Sequence, residues 1–152
     1  LDIGAGDLRL AARAASGGAT VWAIEARPEL LPAAPPPGVH VLIGDARTLP
    51  FPPVEVGLLL MRHCRHVGRY WRKLAAAGAR RLVTNARFGL AVEVIDLTAP
   101  RQPYAALALG PWACDCGAVG CRDGDPLLLP AAAWETPAEV FDCPACWPLA
   151  GL

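Results

Sequence analysis

Five of the six cysteines fall in the last forty residues, as WACDCGAVGC and FDCPACW. Cys114 and Cys116 form one close pair, Cys143 and Cys146 another. Each pair can aim two thiolates at one ion. Four thiolates at about 2.3 Å close a tetrahedron around zinc with no position left for water, so such a site is structural and not catalytic. Gly117 frees the backbone after the first pair, and Pro144 stiffens the second. Cys121 is a rival for one ligand position. A disulfide network or unrelated free thiols are the alternatives, and a chain without secretory features favours the metal. Between the pairs lie DGDP and the apolar LLLPAAAW, so the metal would staple an extension, residues 111–152, back on itself.

A second chemical group opens the chain, LDIGAGDLRLAARAASGGATVWAIE. It reads as a strand stub, a glycine turn, a helix over Leu8–Ala15 with Asp7 as its N-cap, a stop at Gly17 and Gly18, and a strand ending at Glu25. Gly4 and Gly6 permit a sharp turn and close ligand approach. A dinucleotide fingerprint would need a third glycine where Arg9 stands, and G-x-G-x-G is broken by Leu8. Acids then close two successive strands, Glu25 the second and Asp45 the third, in VHVLIGDAR. An acid after strand two can accept both ribose hydroxyls of a nucleoside. An Asp after strand three can accept from an adenine amino group, while the Ala46 amide donates to the ring.

On LDIGAG, Glu25 and GDA at Gly44–Ala46, the chain resembles the class I S-adenosylmethionine-dependent methyltransferases over about residues 1–100. The resemblance implies that Asp2, Gly4, Ala5, Gly6, Glu25, Asp45 and Ala46 hold S-adenosylmethionine. It also implies an α/β, Rossmann-like, mostly parallel sheet of order 3-2-1-4-5-7-6, with the ligand across strands one and four. Cys114, Cys116 and Cys121 are locally similar to the C-x-C-x4-C of post-SET zinc motifs.

The remaining elements must position these groups. Pro28 and Glu29 could open a short helix, which Pro32 and Pro35–Pro37 stop. Val39–Ile43 is the third strand, and the proline-rich ARTLPFPPV leads to VGLLLM, Val56–Met61, an apolar run suited to a central strand. Few or short crossover helices are expected. Arg62–Ala77 reads as one amphipathic helix, with Arg62, Arg65, Arg69 and Arg72 on one stripe and Cys64, Val67, Trp71 and Leu74 on another. ARRLVTNA, LAVEVIDL and YAALALG supply strands five to seven, the last two as an antiparallel hairpin. The boundaries are residues 1–110 for the Rossmann-like domain and 111–152 for the cysteine-rich extension.

No acid occurs between Glu55 and Glu93, whereas eight arginines and lysines do. The Arg62–Arg72 helix could follow the phosphates of RNA or meet an acidic protein, or it could be a solvated face in an arginine-rich composition. MRHCRH leaves strand four where many methyltransferases place target-activating groups. His63 is the candidate catalytic base, His66 a weaker one, and Cys64 belongs on the apolar stripe. N-P-P-[YF] and Pro-Cys are both absent there.

A 54% apolar fraction with zero formal net charge excludes a disordered chain and a uniformly basic nucleic-acid binder. The skew toward Ala, Leu, Pro and Arg points to a GC-rich coding sequence of bacterial type. With no signal-peptide pattern and no membrane-length apolar run, a cytoplasmic protein is expected. Three functions follow: methyl transfer to an acceptor beside His63, a degenerate scaffold binding a protein or RNA partner, and, more weakly, nicotinamide-dependent oxidoreduction, against which Asp45 argues.

Overall fold

The computed structural model describes residues 1–87, 91–125, 127 and 136–146. Two sheets share the chain. The first has six strands in the order β3-β2-β1-β4-β5-β6, made of β1 (Asp2–Ile3), β2 (Val21–Glu25), β3 (Val39–Ile43), β4 (Val56–Leu59), β5 (Arg81–Thr84) and β6 (Glu93–Asp96). All its pairings are parallel except β5 with β6, where Arg81 faces Asp96 and Thr84 faces Glu93. This is the expected α/β, mostly parallel sheet with few helices. The second sheet has four strands in the order β7-β10-β8-β9, from β7 (Gln102–Pro103), β8 (Gly110–Cys114), β9 (Val119–Arg122) and β10 (Ala138–Phe141).

The expected seventh strand is not in the first sheet. YAALALG instead forms a 3-10 turn at Tyr104–Ala106 and runs into β8. Its apolar residues are drawn into the other core: Leu107 is buried with Trp112, Cys114, Val140 and Cys143. Among the described residues, β6 therefore ends the first sheet. Gln102 and Pro103 pair with β10, so the second sheet reaches back to residue 102. Of the apolar stretch between the cysteine pairs, residues 128–134 lie outside the described residues.

Two α-helices among the described residues pack on the first sheet. The first, α1 (Arg9–Ser16), buries Ala11 against Val21, Ala23 and Val39. Its N-cap is Leu8 and not Asp7; Asp7 stands one residue earlier and accepts from the Arg9 amide at 3.3 Å. Leu8 has φ 63, the left-handed conformation that a glycine at this position would take without strain, and its side chain is 1% exposed. Burial of a leucine offsets the roughly 1–2 kcal/mol that L-residues lose there.

The other helix, α2 (Val67–Ala76), covers the opposite face. Val67, Tyr70, Trp71 and Leu74, spaced i, i+3, i+4 and i+7, are its buried stripe. Leu74 sits on the bare backbone of Gly57 in β4, and Gly78, with φ 85, ends the helix. The helix starts five residues later than the spacing of the arginines suggests. Met61–His66 is a turn, with Cys64 N–H bonded to Met61 O at 3.2 Å and His63 at φ 61. Arg62 and Arg65 thus lie in that turn, and only Arg69 and Arg72 are helical. No helix among the described residues is long and apolar enough to cross a membrane.

Candidate functional site

The glycine turn joins β1 to α1 where β1 lies between β2 and β4, the point at which crossover direction reverses. Gly4 and Gly6 have φ 74 and 55, and the Gly4 and Ala5 amides both bond to Ile24 O, at 2.9 and 3.0 Å. A Cβ on Gly6 would meet nothing within 4 Å, so its bare backbone borders open space. A Cβ on Gly4 would stand 2.7 Å from the Met61 sulfur, which lies across the turn.

Glu25, 2% exposed, closes β2 beneath this turn. Its carboxylate accepts from the Gly6 amide at 2.7 Å and the Arg27 amide at 3.0 Å, with the Arg27 guanidinium at 3.2 Å. Burial alone would raise this carboxyl. The two amides and Arg27 together hold it below its usual value, so it is ionised at neutral pH. Asp45 is more open. Its carboxylate accepts from the Arg47 amide and guanidinium at 2.8 Å, which with the nearby Arg69 charge holds it down at about 2. With Ile3, Gly4, Gly44, Ala46, Met61 and Tyr70, these two acids line a cleft of about 240 Å³.

A neighbouring cavity of about 460 Å³ shares Gly4 and is lined by Asp2, Ala5, Asp7 and Leu60. Asp2 is 3% exposed, and its Oδ2 has no hydrogen-bond partner. Burial pushes its carboxyl up to about 6, the Glu25 charge reinforcing the rise. A buried acid with an orphaned oxygen beside a glycine turn fits a cationic ligand group. Of the seven residues expected to hold a cofactor, Asp2, Gly4, Ala5, Glu25, Asp45 and Ala46 line these two cavities, whereas Gly6 lines neither and is tied to them only through its amide bond to Glu25.

Lys73 was not among the expected site residues, yet it fixes the third side of the cleft. From α2 its Nζ donates to Ala46 O at 2.5 Å and Leu49 O at 2.6 Å, and it lies 4.2 Å from the Phe51 ring centroid. It staples the loop after β3 to the helix that covers the sheet. Its one signal in the sequence is that the chain contains no other lysine. His63 is exposed in its left-handed turn and does not line either cavity. Cys64 is half-buried against the main core, which pushes its thiol up and away from nucleophilic use.

A model of the methyltransferase domain matches residues 1–90. The chain belongs to that family. The match carries with it the class I, S-adenosylmethionine-dependent reading of the glycine turn, and the orphaned Asp2 oxygen, the ionised Glu25 and the open backbone at Gly6 fit that cofactor. No curated protein and no solved structure matches the chain.

The methyltransferase domain is followed by the cysteine cluster. Cys114 ends β8, Cys116 and Gly117 follow in a tight turn, and Cys143 and Cys146 flank the turn after β10, where Asp142 has φ 55. The four sulfurs all lie within 4.8 Å of one another. Cys114 to Cys146 and Cys116 to Cys143 are each 3.6 Å, and Cys143 to Cys146 is 3.8 Å. A tetrahedron with metal–sulfur bonds of about 2.3 Å has edges of about 3.8 Å, close to these three distances, so the four sulfurs are clustered tightly enough to hold a zinc ion. All six cysteines are free, and Cys121 stands apart, exposed on β9.

The cluster is docked on the methyltransferase fold. Val67 is 1% exposed beneath Gly117, where a Cβ would come within 2.6 Å of the valine. Arg87, also buried, donates to Glu93 of β6 at 2.7 and 2.9 Å and to Glu139 of β10 at 2.7 and 3.0 Å, joining the two sheets. Arg101 stacks on Trp71 at 4.3 Å and completes the seam.

Proposed function

We propose that this chain binds S-adenosylmethionine in the cleft above Gly4–Gly6 and transfers its methyl group to an acceptor entering from the His63 side. The observation that carries the reading is the pair of buried acids, Asp2 within β1 and Glu25 at the end of β2. Glu25, ionised and aimed into the cleft by two backbone amides, is placed to accept from ribose hydroxyls. Asp2, unsatisfied, is placed to take the ammonium of the methionine half. Asp45 and the Ala46 amide would address adenine, with Arg47 sharing a carboxylate that has lone pairs to spare. The cofactor supplies an electrophilic methyl on sulfur; the residues bind it, orient it and exclude water. His63, in the turn after β4, is the candidate base.

We further assign zinc to Cys114, Cys116, Cys143 and Cys146, as a structural ion with no open coordination position, stapling the cysteine-rich extension back on itself. Reduced thiolate ligands suit a cytoplasmic setting.

A second reading, a scaffold whose cofactor pocket has decayed, draws support from Met61 lying across Gly4 and from Arg47 holding Asp45. Calorimetric titration with S-adenosylmethionine, S-adenosylhomocysteine and NAD separates the readings. Binding of the first two and not NAD is expected, and Glu25→Ala should weaken it at least about tenfold, since a charge-assisted hydrogen bond contributes roughly 1.5–3 kcal/mol. Silence with both sulfur ligands would leave the scaffold.

A further inference from the structure

The acid-free interval between Glu55 and Glu93 carries eight basic side chains, and the fold divides them by use. Lys73 is spent on two backbone carbonyls and Arg87 on two carboxylates. Arg80 and Arg81 lie at the far end of β5, lining a cavity with Glu55 and Asp96. What remains is Arg62, Arg65, Arg69 and Arg72. All four are exposed, and none makes an ion pair with a described residue. His63 and His66, in the same turn, are exposed beside them.

These four have a direction. Arg62 and Arg65 occupy the turn out of β4, next to Met61 of the cofactor cleft. Arg69 lies close enough to Asp45 and Lys73 for its charge to act on both. Arg72, one turn further along α2, acts on Asp115 of the cysteine turn. A cationic strip without an ion pair among the described residues therefore runs from the mouth of the cleft, where Asp45 stands, to the cysteine cluster, where Asp115 stands.

We propose that this strip binds the phosphodiester backbone of a single-stranded nucleic acid and leads it past the cofactor cleft. The proposal deepens the methyl-transfer reading by naming its acceptor class. Every cation in the strip is an arginine, whose rigid fork of donors suits phosphate oxygens better than the point charge of a lysine does. Arg69 and Arg72 are i, i+3 neighbours about 5–6 Å apart on one helix face, a repeating arrangement suited to a repeating anion. A single strand fits better than a duplex, because a base stacked within a duplex could not reach the cleft without being flipped out. An acidic protein surface is the competing occupant.

The test is fluorescence anisotropy with a labelled single-stranded RNA oligonucleotide between 50 and 200 mM salt. Four phosphate contacts predict that log K falls with log salt at a slope of about −3. Replacing all four arginines by glutamine should lower affinity at least tenfold and flatten the slope, and the Arg69→Gln/Arg72→Gln double variant should do half as much if the quadruple variant folds poorly. Arg80→Gln, on the other end of the sheet, should change nothing. Glu25→Ala should bind RNA normally while losing S-adenosylmethionine, so the strip and the cofactor site can fail separately. No binding at 50 mM salt, an unchanged slope in the double variant, or equal binding of polyglutamate with the same arginine dependence would each overturn the proposal.

Discussion

Gly68 and Cys116 meet backbone to backbone: a Cβ at Gly68 would stand 2.9 Å from Cys116 Cα and 3.3 Å from Asp115 O. The first turn of α2 is thus shaped to receive the first cysteine turn. Whatever orders the cysteines also presses on the helix that flanks the cofactor cleft.

That contact predicts a metal-dependent sign. In an isolated helix, Gly→Ala is favourable by about 1 kcal/mol. With the cysteine turn docked, the added methyl must displace backbone, at a cost of about 1–3 kcal/mol, and Gly68→Ala should be neutral to destabilising. After chelation, or in a Cys143→Ser background, the cysteine turn lets go and the same substitution should stabilise the core. Urea midpoints with and without chelator measure this. Shifts of the same sign in both states would show that the contact is not maintained by metal.

Asp2 should make the protein less stable as pH rises. Its folded value of about 6 lies above the usual 3.8, so between these values the native state holds a proton the unfolded chain has released. Stability from this group is full below about pH 4 and is lost as pH rises through 6, by at most about 3 kcal/mol. Asp2→Asn should therefore stabilise the ligand-free protein at pH 7 and leave it unchanged at pH 4. It should also weaken S-adenosylmethionine, whose ammonium would otherwise recover the cost. Thermal melts at the two pH values, paired with titrations, check both halves. Asn raising stability equally at pH 4 would mean that burial, and not charge, is what Asp2 suffers.

Lys73 should act on the adenine side alone. Lys73→Met keeps a side chain of similar length but removes the ammonium over Phe51 and both donors from Ala46 O and Leu49 O, freeing the loop that carries Asp45. Affinity for S-adenosylhomocysteine and for adenosine should fall together, by about tenfold, the scale of one charge-assisted bond. A merely structural lysine would lower the melting temperature with ligand affinity intact, and that outcome would remove Lys73 from the site.

The glycine turn and the acids Glu25 and Asp45 were legible because each rests on local rules, a left-handed backbone or the end of a strand. The paired cysteines were legible for the same reason. The start of α2 was not. Arg62 and Arg65 extend the helical spacing of Arg69 and Arg72 backwards, yet His63 takes a left-handed conformation that no periodicity reports. YAALALG alternates like a strand, but Leu107 finds its burial beside Trp112 and Cys143, a competition only the second sheet reveals. Lys73 was unreadable as a site residue because its partners are carbonyls 24 and 27 positions away, which carry no side-chain signature.

Arg87 gives the sharpest test of how the two sheets are joined. Its guanidinium, 1% exposed, divides its donors between Glu93 in one sheet and Glu139 in the other. Removing it leaves Glu93 without its cation and Glu139 with only Arg101, 3.6 Å away, both carboxylates about a quarter exposed or less, and breaking a buried network from one side typically costs about 3–5 kcal/mol. The acids retain some water, so Arg87→Met should fall toward the lower end. Glu139→Gln should cost less, because Arg87 keeps its paired bonds to Glu93 and Arg101 keeps its bonds to Ala99 O and Asp96 O. The double variant should recover part of the Arg87→Met loss, since the orphaned charge on the second sheet is then gone. A double-mutant cycle on urea midpoints measures that recovery. If the two losses simply add, Arg87 and Glu139 stabilise their own sheets independently, and the seam must be held by Val67, Gly68 and the cysteine turn instead.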